Sequence, residues 1–273
     1  MICKSRINYV CESNKQMELS HRTYHLLKHL IVAKTKYYLH SPFIYQFYLN
    51  VLEGETHTGS IEVLRAKLLT NSTTISFTDL GKNGDIKTKK IQEIADTSSI
   101  TKQYGEVLYR AVKYFKPKHT LELGTNLGLG TAYLAQGNES GTVFTIEGSS
   151  EIQQLAKENL KILEVNNVSF TNASFDKVLP EVLDAIPSLD LVFIDGNHRY
   201  QPTIEYFEKC LDKLNENSVI IIDDIYWSRE MTAAWNYIKA HNSVTLTVDI
   251  YRMGFVFFRP QQLAKEHFRL LLL

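Results

Sequence analysis

The sequence predicts a doubly wound α/β fold in which five parallel strands are followed by an antiparallel C-terminal hairpin and preceded by a helical region. Three observations predict it. From residue 119 onward short apolar runs alternate with segments of helical periodicity, the pattern of a parallel sheet covered by helices on both faces. The stretch Leu121 to Ala135, LELGTNLGLGTAYLA, reads as a buried strand, a glycine-bearing turn and the opening of a helix. Near the C-terminus, Val244 to Ile250 and Phe255 to Arg259 are joined by a short turn containing Gly254, and so short a connection fits antiparallel neighbours.

Taken in order, residues 1–18 are polar and patternless and are assigned no structure; a frayed or disordered terminus fits them. Residues 19–99 read as a helical region and a loop. Apolar and basic residues mix at helical spacing from Leu19 to Leu39, and Ser41-Pro42 then reads as the N-cap and first position of a second helix, FIYQFYLNVLEG, ending at Gly54. Ser60 to Leu69 suggests a third. Their Tyr and Phe side chains could cap a substrate pocket or be plain core. Between Thr70 and Lys90 the composition shifts to Ser, Thr, Asn, Gly and Lys, which reads as a long loop with a surface turn at DLGKNG, residues 79–84. Helices are expected at Ile91 to Asp96 and Tyr104 to Phe115. Residues 100–260 form the main domain, with strands at 119–124, 142–147, 167–171, 189–195 and 218–223. Helices fall near 128–136, 150–164, 176–185, 201–213 and 230–241. Residues 261–273 are a tail or short helix.

Composition narrows the function. Lys+Arg and Asp+Glu are 30 each, and a net charge of zero argues against a general electrostatic grip on nucleic acid. Cys3, Cys11 and Cys210 lack C-x-x-C spacing and are too few for a disulfide framework, so a reduced, cytoplasmic setting is expected. The N-terminal MICKSRINYVCESNKQ has no apolar signal region. Leu26 to Ala33 is interrupted by Lys28 and is far shorter than the ~20 residues of a membrane span, so no membrane partner is expected.

Chemistry-bearing residues gather where strands stop, because in an open α/β sheet the ligand lies beyond their carboxyl ends. Glycines at 124, 128 and 130 let the backbone turn tightly and approach a ligand at a helix start, whose free N–H groups favour polar or anionic groups. A dinucleotide-binding G-x-G-x-x-G counted from Gly124 fails at Asn126 and Leu129. The second strand stops at Glu147, 147 − 124 = 23 residues beyond the first glycine, about where nucleotide folds place the acid that holds a ribose hydroxyl. The third stops near Ser174. The fourth ends in Asp195-Gly196-Asn197-His198 and the fifth in Asp223-Asp224. Three converging carboxylates suit a hard cation such as Mg2+, which can lower the pKa of a bound hydroxyl. Otherwise the paired aspartates cap a helix or face solvent. His25, His29, His40 and His57 read as structural, and Tyr226 and Trp227 as walls of the site or as packing.

E-x-G-x-x-x-G at Glu122 to Gly128 resembles motif I of class I S-adenosylmethionine-dependent methyltransferases, most closely the small-molecule O-methyltransferases. IDGNHRY resembles the I-D-G-D-H-x-Y signature of a group that includes metal-dependent antibiotic-sugar O-methyltransferases. DDIYW is similar to the D-N-x-x-W metal element of catechol-type enzymes, with Asp224 in place of Asn and Trp227 matching Trp. The resemblance implies a Rossmann-like seven-stranded sheet over roughly residues 100–260. It implies S-adenosylmethionine as cofactor, held by Glu122, Gly124, Thr125, Asn126, Gly128, Glu147, Ser174 and Asp195, with Glu147 on the ribose and Ser174 near the adenine. It also implies Mg2+ ligated by Asp195, Asp223 and Asp224, catalysis by Asp195 and by His198 as general base, and methyl transfer to a small-molecule hydroxyl. Two departures stand against it: Asn197 replaces an acid, and the lysine of catechol-type enzymes is absent.

Three alternatives remain. An NAD-dependent oxidoreductase is opposed by the failed glycine spacing and the terminal hairpin. A cofactor-binding module without catalysis is opposed by the acids and His198. A nucleic-acid methyltransferase is opposed by DGNH where an N-P-P-Y-type clamp would stand and by the neutral charge. The acceptor and the oligomeric state, homo-oligomers included, are left open.

Overall fold

A computed structural model describes residues 2–79, 84–262 and 264–272, with side-chain surroundings from residue 16 onward. Helix α1 (Ile2–Val32) runs through the stretch that the sequence left unassigned and stops short of Leu39. It stops because the chain there joins the sheet edge: Lys34 N donates to the Arg269 carbonyl at 2.8 Å, and Leu271 N donates to the Lys34 carbonyl at 3.0 Å. Helix α2 (Pro42–Phe47) starts as the sequence indicates, with Pro42 in its first turn and the Ser41 side chain accepting from Ile44 N. It widens into a π-helical turn over Tyr48–Leu52, and α3 (Gly59–Leu69) follows.

The long loop expected between Thr70 and Lys90 is instead an antiparallel hairpin of β1 (Thr74–Asp79) and β2 (Asp85–Lys90), with Thr74 opposite Lys90. Ile75 and Phe77 pack on the core from one face of the ribbon, and the remaining positions, apart from the exposed Ile86, are polar and imitate a loop. The DLGKNG turn has residues 80–83 outside the described residues. Helices α4 (Ile91–Thr97) and α5 (Lys102–Phe115) lead into the main domain.

There the alternation holds: β3 (His119–Leu123), α6 (Leu129–Gly137), β4 (Thr142–Glu147), α7 (Ser150–Ile162), β5 (Val168–Asn172), α8 (Phe175–Ala185), β6 (Leu189–Ile194), α9 (Tyr200–Leu211), β7 (Leu214–Ile222) and α10 (Arg229–Ala240). The hairpin β8 (Leu246–Asp249) and β9 (Gly254–Phe257) is antiparallel, and β9 runs antiparallel to β7. Beyond it the expected tail or helix is a further strand, β10 (Glu266–Arg269), parallel to β8. Among the described residues the sheet therefore has eight strands, not seven, in the order β10-β8-β9-β7-β6-β3-β4-β5.

Alternate residues of the central strand β6 feed two cores: Leu191 and Phe193 join one apolar cluster, Val192 and Ile194 the other. Phe47 and Tyr48 lie in the first cluster beside α5, whose Arg110 Nε donates to the Val51 carbonyl at 2.7 Å. Phe47 and Tyr48 are therefore core, Phe43 packs against it half-buried, and Tyr45 is exposed. Among the N-terminal helices α1 reaches the far rim of the sheet, where His21 meets Thr232 and Tyr251 Oη donates to the Arg22 carbonyl.

Candidate active site

Strand register builds the site. Leu123 pairs with Ile146 on one side and Ile194 on the other, and Ile194 pairs with Ile222. The next residue of each strand is thereby set in one row along the carboxyl edge: Glu147, Gly124, Asp195 and Asp223. Strand order reverses between β3 and β6, which makes this edge the topological switch point at which such sheets bind ligands.

On the β3–β4 side the glycine loop is held from beneath. Gly124 has φ +112°, and a Cβ placed there would lie 2.3 Å from the Asp195 carbonyl oxygen, so only glycine lets β3 and β6 close. Gly128 also has positive φ, +81°, at the start of α6. Glu122 is fully buried, accepting from Thr131 Oγ1 at 2.5 Å and Thr145 Oγ1 at 2.6 Å. Burial pushes its carboxyl up to about 7 despite those hydroxyls. Its Oε1 has no hydrogen-bond partner among the described residues, and Gly130 leaves the room beside it. Glu122 and Thr125, whose hydroxyl meets Thr145 Oγ1 at 2.6 Å, thus tie the loop to β4 from inside the fold. Asn126 bridges outward, its side chain donating to the Ser98 carbonyl.

Glu147 faces the loop. Its Oε2 accepts from Asn126 N and its Oε1 from Ser149 N, both at 3.0 Å, which fixes the carboxylate plane and leaves each oxygen a second lone pair. Burial raises its pKa and the backbone donors oppose the rise. Ser174 stands at the N-cap of α8, half-buried, with no capping bond to occupy its hydroxyl.

On the β6–β7 side the acids converge. Asp195 is about one-fifth exposed; burial, then Asp223 and Asp224, hold its carboxyl well above the usual range. His198 Nε2 lies 3.7 Å from Asp195 Oδ1 and 4.0 Å from Asp224 Oδ2, with the ring 30% exposed. Asp224 sits at φ +55° and is pushed up to about 6 by burial and by Asp223.

Sequence reasoning missed the residue at the centre of this cluster. Arg252, from the turn between β8 and β9, donates from Nε and Nη2 to Asp223 at 3.0–3.3 Å and from Nε toward Asp224 Oδ1 at 3.2 Å. Burial works against its charge, but Asp223 and Asp224 raise its pKa further. The signal was legible in principle: Asp224 adds a negative charge where the related motif has Asn, and the hairpin turn joined to β7 carries one arginine.

The Asp195–Asp223–Asp224 set does not fit a resident Mg2+ as arranged. Both oxygens of the fully buried Asp223 are engaged by the guanidinium, and no group of three His, Cys, Asp or Glu side chains among the described residues is disposed to hold a metal.

Helix α1 closes the rim. Arg22 stacks over Trp227, 3.4 Å from the ring centroid, and donates to the Trp227 carbonyl. His25 stacks on Tyr226 at 4.4 Å, and His29 lies 3.3 Å from Asp249, which also accepts from Tyr226 Oη and Arg269. Tyr226 is therefore packing, while Trp227 stays half exposed beneath Arg22. His29 is buried and paired, as a structural histidine should be. A separate cavity of about 500 Å³, lined by Lys34, Lys239, Asp249, His267 and Arg269 among others, shares no residue with the row at the strand ends.

Residues 121–225 match a family described as a methyltransferase domain, the segment that carries every residue of this row. The chain is 29% identical over 129 residues to an uncharacterized protein of Acanthamoeba polyphaga mimivirus, covering 44% of this chain and 58% of that protein. It is 26% identical over 133 residues to a catechol O-methyltransferase of Mycobacterium tuberculosis, covering 46% and 57%. The chain thus spans under two thirds of the length of these relatives. Among solved structures it is similar to the SAH-bound methyltransferase of Podospora anserina, with a TM-score of 0.59 at 14% identity over 81% of this chain and 97% of that one. It is also similar to an O-methyltransferase from Bacillus cereus in complex with SAH, with a TM-score of 0.54 at 18% identity over 79% and 97%. The fold is that of the class I S-adenosylmethionine-dependent methyltransferases, extended by one strand.

Proposed function

We propose that the protein is an S-adenosylmethionine-dependent O-methyltransferase acting on a small-molecule hydroxyl. One observation carries this reading: strand register sets the glycine loop, Glu147 and the Asp195–His198 pair side by side along one edge. The loop and Glu147 would take the cofactor, Glu147 accepting from the ribose hydroxyls with lone pairs not used by Asn126 and Ser149. Ser174 and Asp195 would complete that half, while Glu122 and Thr125 act from beneath by keeping the loop in shape.

At the other half His198 Nε2, 3.7 Å from Asp195 and 4.0 Å from Asp224, accepts the acceptor's hydroxyl proton. The acceptor oxygen then forms its bond to the methyl carbon as the carbon–sulfur bond breaks, leaving S-adenosylhomocysteine. The protein's contribution is alignment and proton removal, so displacement of either half should slow the step. The similar proteins include a catechol O-methyltransferase and an O-methyltransferase, which supports a hydroxyl acceptor here. No helix among the described residues is long and apolar enough to cross a membrane.

Calorimetric titration with S-adenosylmethionine tests the cofactor half, and methyl transfer from labelled cofactor to a panel of hydroxyl compounds tests the reaction. Glu147→Ala should weaken cofactor binding by about ten- to a hundredfold, the worth of a charged hydrogen bond. His198→Ala should leave binding intact and cut turnover by about a hundredfold or more. Unchanged turnover in His198→Ala would remove His198 as the base, cofactor binding without methyl transfer to any acceptor would point to a binding module, and no cofactor binding at all would end the reading.

A further inference from the structure

The aspartates at the end of β7 already hold a cation. Asp223 is fully buried, and a buried carboxylate requires a charged or hydrogen-bonding partner. Arg252 supplies it with two nitrogens, and its Nε also faces Asp224 at 3.2 Å. The guanidinium is itself fixed from several sides. Ile225 N donates to the Arg252 carbonyl at 3.1 Å, and Tyr104, anchored by its hydroxyl on the Ile250 carbonyl, lies under it with 5.6 Å between the guanidinium carbon and the ring centroid. Arg252 keeps a quarter of its side chain exposed, and Nη1 has no hydrogen-bond partner among the described residues. The remaining charged groups of the cluster are His198 and Asp195 on the β6 side and Arg22 of α1, whose charge also acts on Asp224.

We propose that Arg252 is a built-in cation standing where a divalent metal would bind the β7 aspartates, so that the site acts on its acceptor without a metal. A guanidinium differs chemically from Mg2+ in this position. It donates hydrogen bonds through a planar fork and does not chelate, so it can steady one acceptor oxygen as that oxygen loses its proton, with no need of a second, vicinal oxygen. The acceptor class that follows is a compound presenting a lone hydroxyl. The role at the acceptor oxygen rests on the methyl-transfer reading; the exclusion of the metal does not.

Mn2+ titration of the full chain, followed by the loss of the free-ion electron paramagnetic resonance signal, separates the two, since it needs neither cofactor nor acceptor. Wild type should bind no Mn2+ at concentrations that load Arg252→Met, in which Asp223 and Asp224 have lost their guanidinium. Arg252→Met should gain about tenfold or more in Mn2+ affinity, and adding Asp223→Asn should remove the gain. Stoichiometric Mn2+ binding by wild type that is lost in Asp195→Asn would overturn the proposal, because the guanidinium would then yield to the metal. A folded Arg252→Met that takes up no Mn2+ would overturn it as well, because the aspartates would not be a cation site at all. Should Arg252→Met not fold, the wild-type titration still decides, and Arg252→Gln, which removes the charge and keeps hydrogen-bond donors for Asp223, provides a second comparison: Mn2+ binding there above wild type supports the proposal, while binding equal to wild type counts against it. Calorimetry with S-adenosylmethionine on the same samples reports separately on the methyltransferase reading.

Discussion

The two halves of the strand-end row are built by different means. On the β3–β4 side the parts that face the ligand edge are held through backbone: Gly124 closes on the Asp195 carbonyl, and Asn126 N and Ser149 N hold Glu147. On the β6–β7 side the acids are held by charged side chains from other elements, Arg252 of the β8–β9 turn bonding Asp223 and Arg22 of α1 acting on Asp224 by its charge. The first half is rigid because backbone geometry admits no alternative. The second is a balance of charges assembled by tertiary contacts, and it should respond more to pH and to single charge changes.

The largest effect should come from the backbone half. Gly124→Ala needs a side chain at φ +112° and places its Cβ against the Asp195 carbonyl, which cannot move without shifting β6. Strain and clash together should cost about 3–5 kcal/mol in chemical denaturation, with loss of cofactor binding in calorimetry. Near-normal stability would mean that the two halves are not locked together at this point.

A smaller effect distinguishes the halves by pH. Glu122 rises from 4.5 to about 7 on folding because it is buried. Between those values the folded chain keeps a proton that the unfolded chain has released, so this group makes stability fall as pH rises through the window and level off above it. Glu122→Gln should flatten that decline by at most about 1.4 kcal/mol per pH unit, read from melting temperatures between pH 4.5 and 7. An unchanged slope would assign the decline to Asp195 and Asp224, which are raised in the same direction.

The smallest effect is expected on the α1 rim and has the opposite sign. Burial against Tyr226 lowers His25 from 6.5 to about 4, so on acidification the unfolded chain takes up a proton before the folded one and stability is lost as pH falls through that interval. His25→Phe keeps a ring on Tyr226 and removes the titration. Its melting temperature should fall less than that of wild type between pH 6.5 and 4, and an equal fall would show that α1 is not held at this contact.

Most of the candidate site was legible from the chain. Gly124, Glu147, Asp195, His198 and the Asp223–Asp224 pair all lie where a parallel strand stops, and in a parallel sheet stopping points fall in one row. Less legible were pieces whose burial is one-sided or short. The β1–β2 ribbon is polar on its outer face except for Ile86, and β10 is a four-residue edge strand, so neither carries the continuous apolar run that announces β6 or β7.

By itself the sequence determined the alternation, the five parallel strands with their hairpin, the need for glycine at 124 and the carboxylates at the strand ends. Periodicity, chain stiffness and backbone sterics are local properties, written within a few residues of where they act. Tertiary structure alone decided that Glu122 lies beneath the loop, that α1 lies across the rim with Arg22 on Trp227, and that Arg252 reaches the β7 aspartates. Those outcomes depend on how charges distant in sequence neutralise one another once water is excluded, and no local pattern records that.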